Sequence, residues 1–295
     1  MSDVFELLDR CELHYRRGDA QTALLQIAPG PGSEAMSVQV QECGWFLRIR
    51  AMVAPCTAPD LATLRRLNDH NTYGPLGSMA AWSRDVGHLV LTLTLPRAPG
   101  RWPAPPVIMA ALATLSQLKS ALLEGRQVGS AEAERIFGST LTFDGMLDLD
   151  GLAREVGKFA PLTRQADGSY ATRRRYQDAA ADIVVRFSHE AGAGLCVDAL
   201  ADGDPSFPGD ERFLRALAEL NALLVHGAVS LWAHPSGKGW LAVHRYCIPL
   251  PWLAVAEAPD RTLLCADTVA ALLDNASLAW DDVIRIVQGG PVERP

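Results

Sequence analysis

The sequence lacks the short motifs that mark metal, redox and nucleotide sites. It contains no Cys-x-x-Cys pair, no His-Glu-x-x-His motif and no glycine loop followed by the Lys-Ser/Thr of a phosphate-binding segment. The histidines also lack the spacing to one another or to cysteine that zinc ligands show. We therefore expect no metal ion and no cofactor.

Cysteines and long apolar runs are sparse as well. The six cysteines are scattered at positions 11, 43, 56, 196, 247 and 265, which is typical of thiols kept reduced. The start, Met1-Ser2-Asp3, has no basic segment followed by an apolar core, so we expect no signal peptide. Polar residues interrupt the apolar stretches, which predicts no membrane span. Together these absences favour a cytoplasmic protein.

The bulk composition is that of a globular protein with an acidic surface. The 295 residues are 48% hydrophobic and 21% charged, enough for two domains with separate cores. The net charge is -7 at pH 7. Nucleic acids and anionic membranes attract a clustered positive field, so we expect neither as a partner.

A weak internal repeat gives the first view of the fold. Shifting the chain by 153 residues lays 61–96 over 214–249 with nine of 36 positions identical. Leucines every third residue predict a helix in each copy, followed by a glycine, a hairpin and a terminal proline. The markers of this repeat are Asn68, Gly74 and Pro96 in the first copy and Asn221, Gly227 and Pro249 in the second.

The flanking segments extend this unit into two related domains. Alternating apolar residues predict strands ahead of each leucine-striped helix, and further helices open and close each copy. The predicted order is helix, three strands, helix, two strands, helix, given twice, which indicates an α+β fold. We place the domains at 1–127 and 140–290 with a linker at 128–139, and expect the copies to pack as an intramolecular pseudo-dimer.

This element order resembles the type III secretion chaperone-like fold, which includes the Tir-chaperone family and the YbjN-like family of bacterial proteins. The resemblance is carried by Leu67-Asn68, Gly74 and Leu89–Pro96, and again by Leu220-Asn221, Gly227 and Leu241–Pro249. It implies a small acidic protein that binds partner polypeptides without ATP. The single-copy families form homodimers, so the implied assembly here is a monomer with an internal pseudo-dimer, or a homodimer.

Several residues are candidates for chemistry, each with a plainer interpretation. His226, His234 and His244 fall on the second hairpin and could converge, although strand surface is the better interpretation. Asp69-His70 with Ser78 could suggest a base and a nucleophile. Neighbouring helix residues point about 100° apart, and no Gly-x-Ser-x-Gly elbow surrounds the serine, so a solvated pair at a helix end is favoured.

The candidate partner-binding residues are basic and aromatic. Arg173, Arg174 and Arg175 form the one concentrated basic feature and could hold an acidic segment. Trp82 and Trp232 lie on predicted strands, where tryptophan either fills the core or anchors an interface. Trp45, Trp240 and Trp252 belong to the same group.

Three functions remain open at this point. The first is a non-catalytic adaptor or chaperone for another polypeptide, a secreted effector or a regulatory partner. The second is a YbjN-like regulatory or sensory protein. The third is an enzyme with a site between the two copies. The first is our prediction.

Overall fold

A computed structural model describes most of the chain. The described residues are 3–28, 35–44, 46–74, 77–97, 102–126, 148–174, 183–190, 194–201, 206–237, 239–248 and 265–270, with positions 273, 280, 282, 283, 285 and 286. The predicted linker at 128–139, Trp45, Arg175, Pro249 and Trp252 lie outside them. The fold is mixed α+β with two antiparallel sheets, which confirms the predicted class.

The described residues of the first half form three helices and six strands. They are α1 (Val4–Arg10), β1 (Tyr15–Arg17), β2 (Thr22–Ile27), β3 (Met36–Cys43), β4 (Phe46–Pro55), α2 (Leu61–Tyr73), β5 (Ser78–Ser83), β6 (His88–Pro96) and α3 (Pro105–Glu124). The second half follows with α4 (Leu149–Val156), β7 (Thr163–Arg164), β8 (Tyr170–Arg174), β9 (Ile183–Glu190), β10 (Gly194–Ala201), α5 (Glu211–Leu223), β11 (Ala228–Ala233) and β12 (Trp240–Ile248). Residues 265–270 are helical.

The two sheets share one strand order. The first runs β1-β2-β3-β4-β6-β5, and the second, counted from its own first strand, runs β7-β8-β9-β10-β12-β11. All named pairs are antiparallel. In each sheet the second strand of the last hairpin, β6 or β12, pairs with the inner strand. The first strand of that hairpin, β5 or β11, therefore lies at the sheet edge beside the helix that precedes it. These two edges form the junction of the halves.

Local sequence explains where the helices begin. An aspartate caps four of them, its carboxylate accepting a hydrogen bond from a first-turn amide. These caps are Asp3, Asp60, Asp148 and Asp210, on Glu6, Thr63, Gly151 and Phe213. Helix α3 instead begins with two prolines, whose missing amides would have had no partner in the first turn.

The predicted element order is wrong in its strand count and in two helix ends. Four strands, not three, precede α2 and α5, because the short β1 and β7 carry too few residues to show alternation. The apolar stripe of Phe5, Leu8, Cys11 and Tyr15 predicts a first helix through Tyr15, but α1 ends at Arg10 and Tyr15 begins β1. The sequence likewise predicts a helix over Leu149–Phe159, but α4 ends at Val156.

The predicted pairing of residues between the two halves also needs correction. The capping residues Asp60 and Asp210 are 150 positions apart, as are Asn71 and Asn221, which each bond the following edge strand. Gly227, with φ +64°, therefore corresponds to Gly77, with φ +72°, and not to Gly74. Asn68 has no counterpart in Asn221. The pairings drawn from the 153-residue shift are wrong in this region.

The shift of 153 applies only to the last strand. Ala80 and Val229, the strand residues bonded by Asn71 and Asn221, pair with Leu91 and His244. The second hairpin loop, 234–239, is longer than the first, 84–87, and this insertion raises the offset. Strand β6 ends at Pro96, as predicted.

One hydrophobic cluster runs through both halves, from Val4 to Ile286. Helix α5 packs along β5, α2 packs along β11, and the two helices contact each other. Each of these helices thus touches the edge strand of the other half. The halves share their burial, so removing one would expose the core of the other.

Helix α3 is long and apolar enough by length and composition to cross a membrane, contrary to the expectation that polar residues interrupt every apolar stretch. It packs against β4 and β6. Half of its most apolar window is buried there, including Ile108, Leu115 and Leu118. That packing is typical of a core helix.

Candidate functional site

The C-terminal end of α5 is held by polar groups of the first half. Carbonyl groups at a helix end have no partner within the helix. Arg50 donates to the carbonyl of Ala222, Arg48 to that of Leu224 at 3.5 Å, and the Thr94 hydroxyl to that of Val225 at 2.8 Å. Burial and the nearby Arg48 lower the pKa of Arg50 to about 10.

A second link joins α2 to the edge strand β11. The Asn68 amide donates to the carbonyl of Leu231 at 3.1 Å, and its oxygen accepts from the Leu231 amide at 2.7 Å. These two bonds imitate the pairing of a neighbouring β-strand. Asn221 makes the same pair of bonds to Val229, two residues earlier on the strand. The outer edge of β11 is therefore occupied at two alternate residues.

Beyond Asn68 the junction opens into a cleft of about 490 Å³, which we call the junction groove. This volume lies in the range of small-ligand and side-chain pockets. Helix α2 forms one wall, and the β11–β12 hairpin forms the other with two residues around the start of α5. The lining residues are Arg65, Asn68, Asp69, Thr72, Tyr73, Gly209, Leu214, Leu231, Trp232, Ala233 and Trp240.

Three aromatic side chains give the groove its apolar surface. Tyr73 is 55% exposed and Trp240 is 41% exposed, both unusual for large aromatics, while Trp232 is half-buried. The Trp240 indole lies against Gly209, where an added Cβ would come within 2.2 Å of its Nε1. Gly209 thus leaves the space that positions Trp240.

A buried ion pair contacts the Trp232 ring. The Arg245 guanidinium lies 4.4 Å from the ring centroid of Trp232 and donates to both carboxylate oxygens of Asp198, at 2.7 and 2.9 Å. Arg186 adds a contact to Asp198 at 3.6 Å. Burial lowers the pKa of Arg245, but the hydrogen bonds and charge of Asp198 outweigh it and hold that pKa above its ordinary value. Arg245 therefore stays protonated beside the Trp232 indole.

The groove also contains main-chain polar groups. Because Val229 and Leu231 direct their amide and carbonyl groups away from β12, the alternation along a strand directs those of Ala233 the same way. Ala233 is exposed and lines the groove. A chain lying in the groove can therefore bond the strand edge and contact the aromatic walls at once.

The second hairpin brings two of the three suspected histidines together. The rings of His226 and His244 are 5.8 Å apart, and His226 stacks on Phe46 of the first half at 4.8 Å. Burial lowers the pKa of His226 to about 3, with a smaller contribution from His244. His234 instead bonds Ser236 on the surface. No set of three metal-binding side chains occurs among the residues that the structure describes.

His70 and Ser78 are in contact, contrary to the prediction of a solvated pair at a helix end. The His70 Nε2 lies 2.9 Å from the Ser78 hydroxyl, and burial lowers the pKa of His70 to about 4. Ser78 is only 3% exposed, and the cavity beside it holds about 10 Å³, roughly one water molecule. A substrate cannot reach this hydroxyl in the conformation described.

The suspected partner-binding residues lie in different parts of the structure. Trp82 is 4% exposed and donates to the Cys56 carbonyl at 3.0 Å, so it is a core residue, and its assignment to a partner surface is wrong. Trp232 lines the groove. Arg173 is exposed on β8, and Arg174 continues that strand. Arg173 is not among the described residues that line the groove.

Sequence reasoning missed the helical wall of the groove. Tyr73 and Asp69 come from α2, about 160 positions before Trp232 and Trp240, and no local pattern relates them. The sequence signal was the uninterrupted polar and aromatic face of the predicted helix beside its leucine stripe. Neither the family models nor the curated proteins that were compared give a match to this chain.

Proposed function

We propose that this protein is a non-catalytic protein-binding module that holds an extended segment of a partner polypeptide in the junction groove. One observation carries the proposal: exposed Tyr73 and Trp240 stand beside Trp232 at the one part of the β11 edge where Ala233 still presents its main chain. Binding by strand addition needs such an edge for affinity and adjacent side-chain pockets for specificity. Exposed aromatics are also typical anchors of protein interfaces.

The common strand order of the two halves supports an origin by duplication, with the halves packed as a pseudo-dimer. Contacts of α5 with β5 and of α2 with β11 are those expected when two copies exchange a helix across a shared junction. On this view the chain belongs with the chaperone-like fold, with one strand more ahead of the second helix of each half than the order on which the resemblance rested. The two edges have diverged, since buried Trp82 and the stacked Arg215 occupy the place near β5.

The direct test is a selection of binding peptides on the full-length protein. A library of random dodecapeptides is displayed on phage, the selected sequences are synthesised with a fluorescent label, and their Kd is measured by anisotropy. Trp240→Ala and Tyr73→Ala each remove an anchor, so each is expected to raise the Kd by about 30-fold, corresponding to a loss of about 2 kcal/mol. Gly209→Ala is expected to weaken binding by displacing the Trp240 indole.

Phe159→Ala is the matched control, because Phe159 is 47% exposed but does not line the groove. It is expected to leave the Kd unchanged. Peptides that bind wild type and the Trp240 and Tyr73 variants equally well would refute the groove as the site. A library that gives no binder would refute the proposed activity and leave the enzymatic or regulatory alternative as the better account.

A further inference from the structure

Two buried cysteines face each other on neighbouring strands of the second sheet. Cys196 on β10 pairs directly with Cys247 on β12, and their Sγ atoms are 3.2 Å apart. The residues are 0% and 2% exposed. Their sequence separation is 51 positions, so no local motif relates them.

The strand register explains why the thiols are so close. His244 pairs with Val229, whose polar groups point away from β12, so the amide and carbonyl of His244 point toward β10. Alternation then makes Cys247 and Cys196 a pair without mutual main-chain bonds, the class in which opposite side chains approach most closely. A disulfide needs an S–S distance near 2.05 Å, so the sulfurs must move together by about 1.1 Å.

A small cavity lies beside this pair. Cys247 lines the cavity of about 10 Å³ at the junction, which has the size of one water molecule. Gly74 of the first half lies over the same thiol, and a Cβ there would be 3.3 Å from the Cys247 Sγ. Hydrogen peroxide is a small two-electron oxidant of thiols, so this confined space excludes it less than it excludes any bulky oxidant.

We propose that Cys196 and Cys247 form a reversible disulfide when the protein meets hydrogen peroxide. One thiol, as the thiolate, attacks a peroxide oxygen, which breaks the O–O bond, oxidises the sulfur to a sulfenic acid and releases one water after proton uptake. The second thiol then attacks that sulfur and releases a second water. Two thiols are oxidised, one peroxide is reduced, and a dithiol reductant reverses the change.

The disulfide also acts on the strand that carries one wall of the junction groove. Cys247 and Arg245 point to the same face of β12, two residues apart, and Arg245 holds both Asp198 and the Trp232 ring. Fixing β12 to β10 therefore stiffens the strand that supports the groove wall. This inference does not depend on whether the groove binds peptides.

The test uses the full-length protein, reduced and then freed of reductant. After brief exposure to hydrogen peroxide, thiols are counted in denaturant, and non-reducing peptide mapping by mass spectrometry identifies any cross-link. The expected result is a fall from six thiols to four, with Cys196 and Cys247 joined in one peptide pair, and return to six with dithiothreitol. The urea midpoint of the oxidised form is expected to rise.

Cys196→Ala and Cys247→Ala are expected to abolish the cross-link, whereas Cys43→Ser, at a half-buried thiol elsewhere, leaves it intact. The wild-type peptide map decides the question even if a variant fails to fold. Oxidation confined to other cysteines, or a cross-link that forms only after unfolding in urea, would overturn the proposal.

Discussion

Replacing Gly227 with alanine tests the close approach that seats the second half on the first. Gly227 follows His226 and Val225, which contact the first sheet, and has φ +64°. A Cβ at this position would lie 2.6 Å from the Arg245 carbonyl oxygen and 2.7 Å from the His244 Nε2. Ordinary contacts of a Cβ begin near 3.4 Å, so the strand or the loop must move.

The loss in free energy of unfolding that we expect from Gly227→Ala has two contributions. A left-handed conformation costs an alanine about 1–2 kcal/mol relative to glycine, and the overpacked contact adds about 1–3 kcal/mol because β12 is fixed between β10 and β11. Gly237→Ala is the matched control, with φ +70° and nothing within 4 Å of the added Cβ. It incurs the first cost alone.

Urea unfolding of both variants, analysed with a common slope, gives the difference directly. We expect Gly227→Ala to be less stable than Gly237→Ala by about 1–3 kcal/mol, the overpacking cost alone. Alanine restricts the unfolded chain equally at both positions, so that effect cancels. Equal stability of the two variants would refute the account of this contact.

Three further predictions concern buried polar groups. Folded His226 has a pKa near 3 against 6.5 when exposed, so the unfolded chain binds the proton first, and the stability that neutral His226 contributes is lost as pH falls from about 6.5 toward 3, at up to about 1.4 kcal/mol per pH unit. His226→Phe is expected to flatten that part of a pH series of unfolding midpoints. An unchanged slope would contradict this assignment. Arg245→Met leaves the buried Asp198 carboxylate with only the longer contact to Arg186 and is expected to cost about 3–5 kcal/mol in urea unfolding. A loss under 1 kcal/mol, the size typical of exposed ion pairs, would count against this account. Asn71→Ala removes both hydrogen bonds to the Ala80 main chain and is expected to lower the free energy of unfolding by about 2–4 kcal/mol. An unchanged Tm in calorimetry would contradict this expectation.

The sequence predicted those elements whose patterns are local. The leucine stripes of α2 and α5, the alternation of β6 and the hairpin ahead of Pro96 all appear where expected. The short strands β1 and β7 were missed because two or three residues carry no periodicity. A propensity also fails near α1, where Tyr15 fits a helical stripe but forms a strand paired with Leu25.

The groove was only partly predictable, for a different reason. Trp232 was suspected because strand tryptophans often anchor interfaces, but Trp82 met the same criterion and is buried. What separates them is packing across the junction, which an ungapped comparison of the halves cannot register. The three-residue spacing of the leucines also hid the correspondence of Asn71 with Asn221, because a shift of 153 moves the stripe by one repeat and still aligns three of its leucines.

Hydrogen exchange at the Ala233 amide tests the central claim most directly. With a selected peptide bound, NMR is expected to show slower exchange at Ala233, whose amide points away from β12 into the groove, and little change at Trp232, whose amide is directed toward β12. A bound peptide that leaves Ala233 exchange unchanged, or that protects a different surface, would contradict binding along this strand edge.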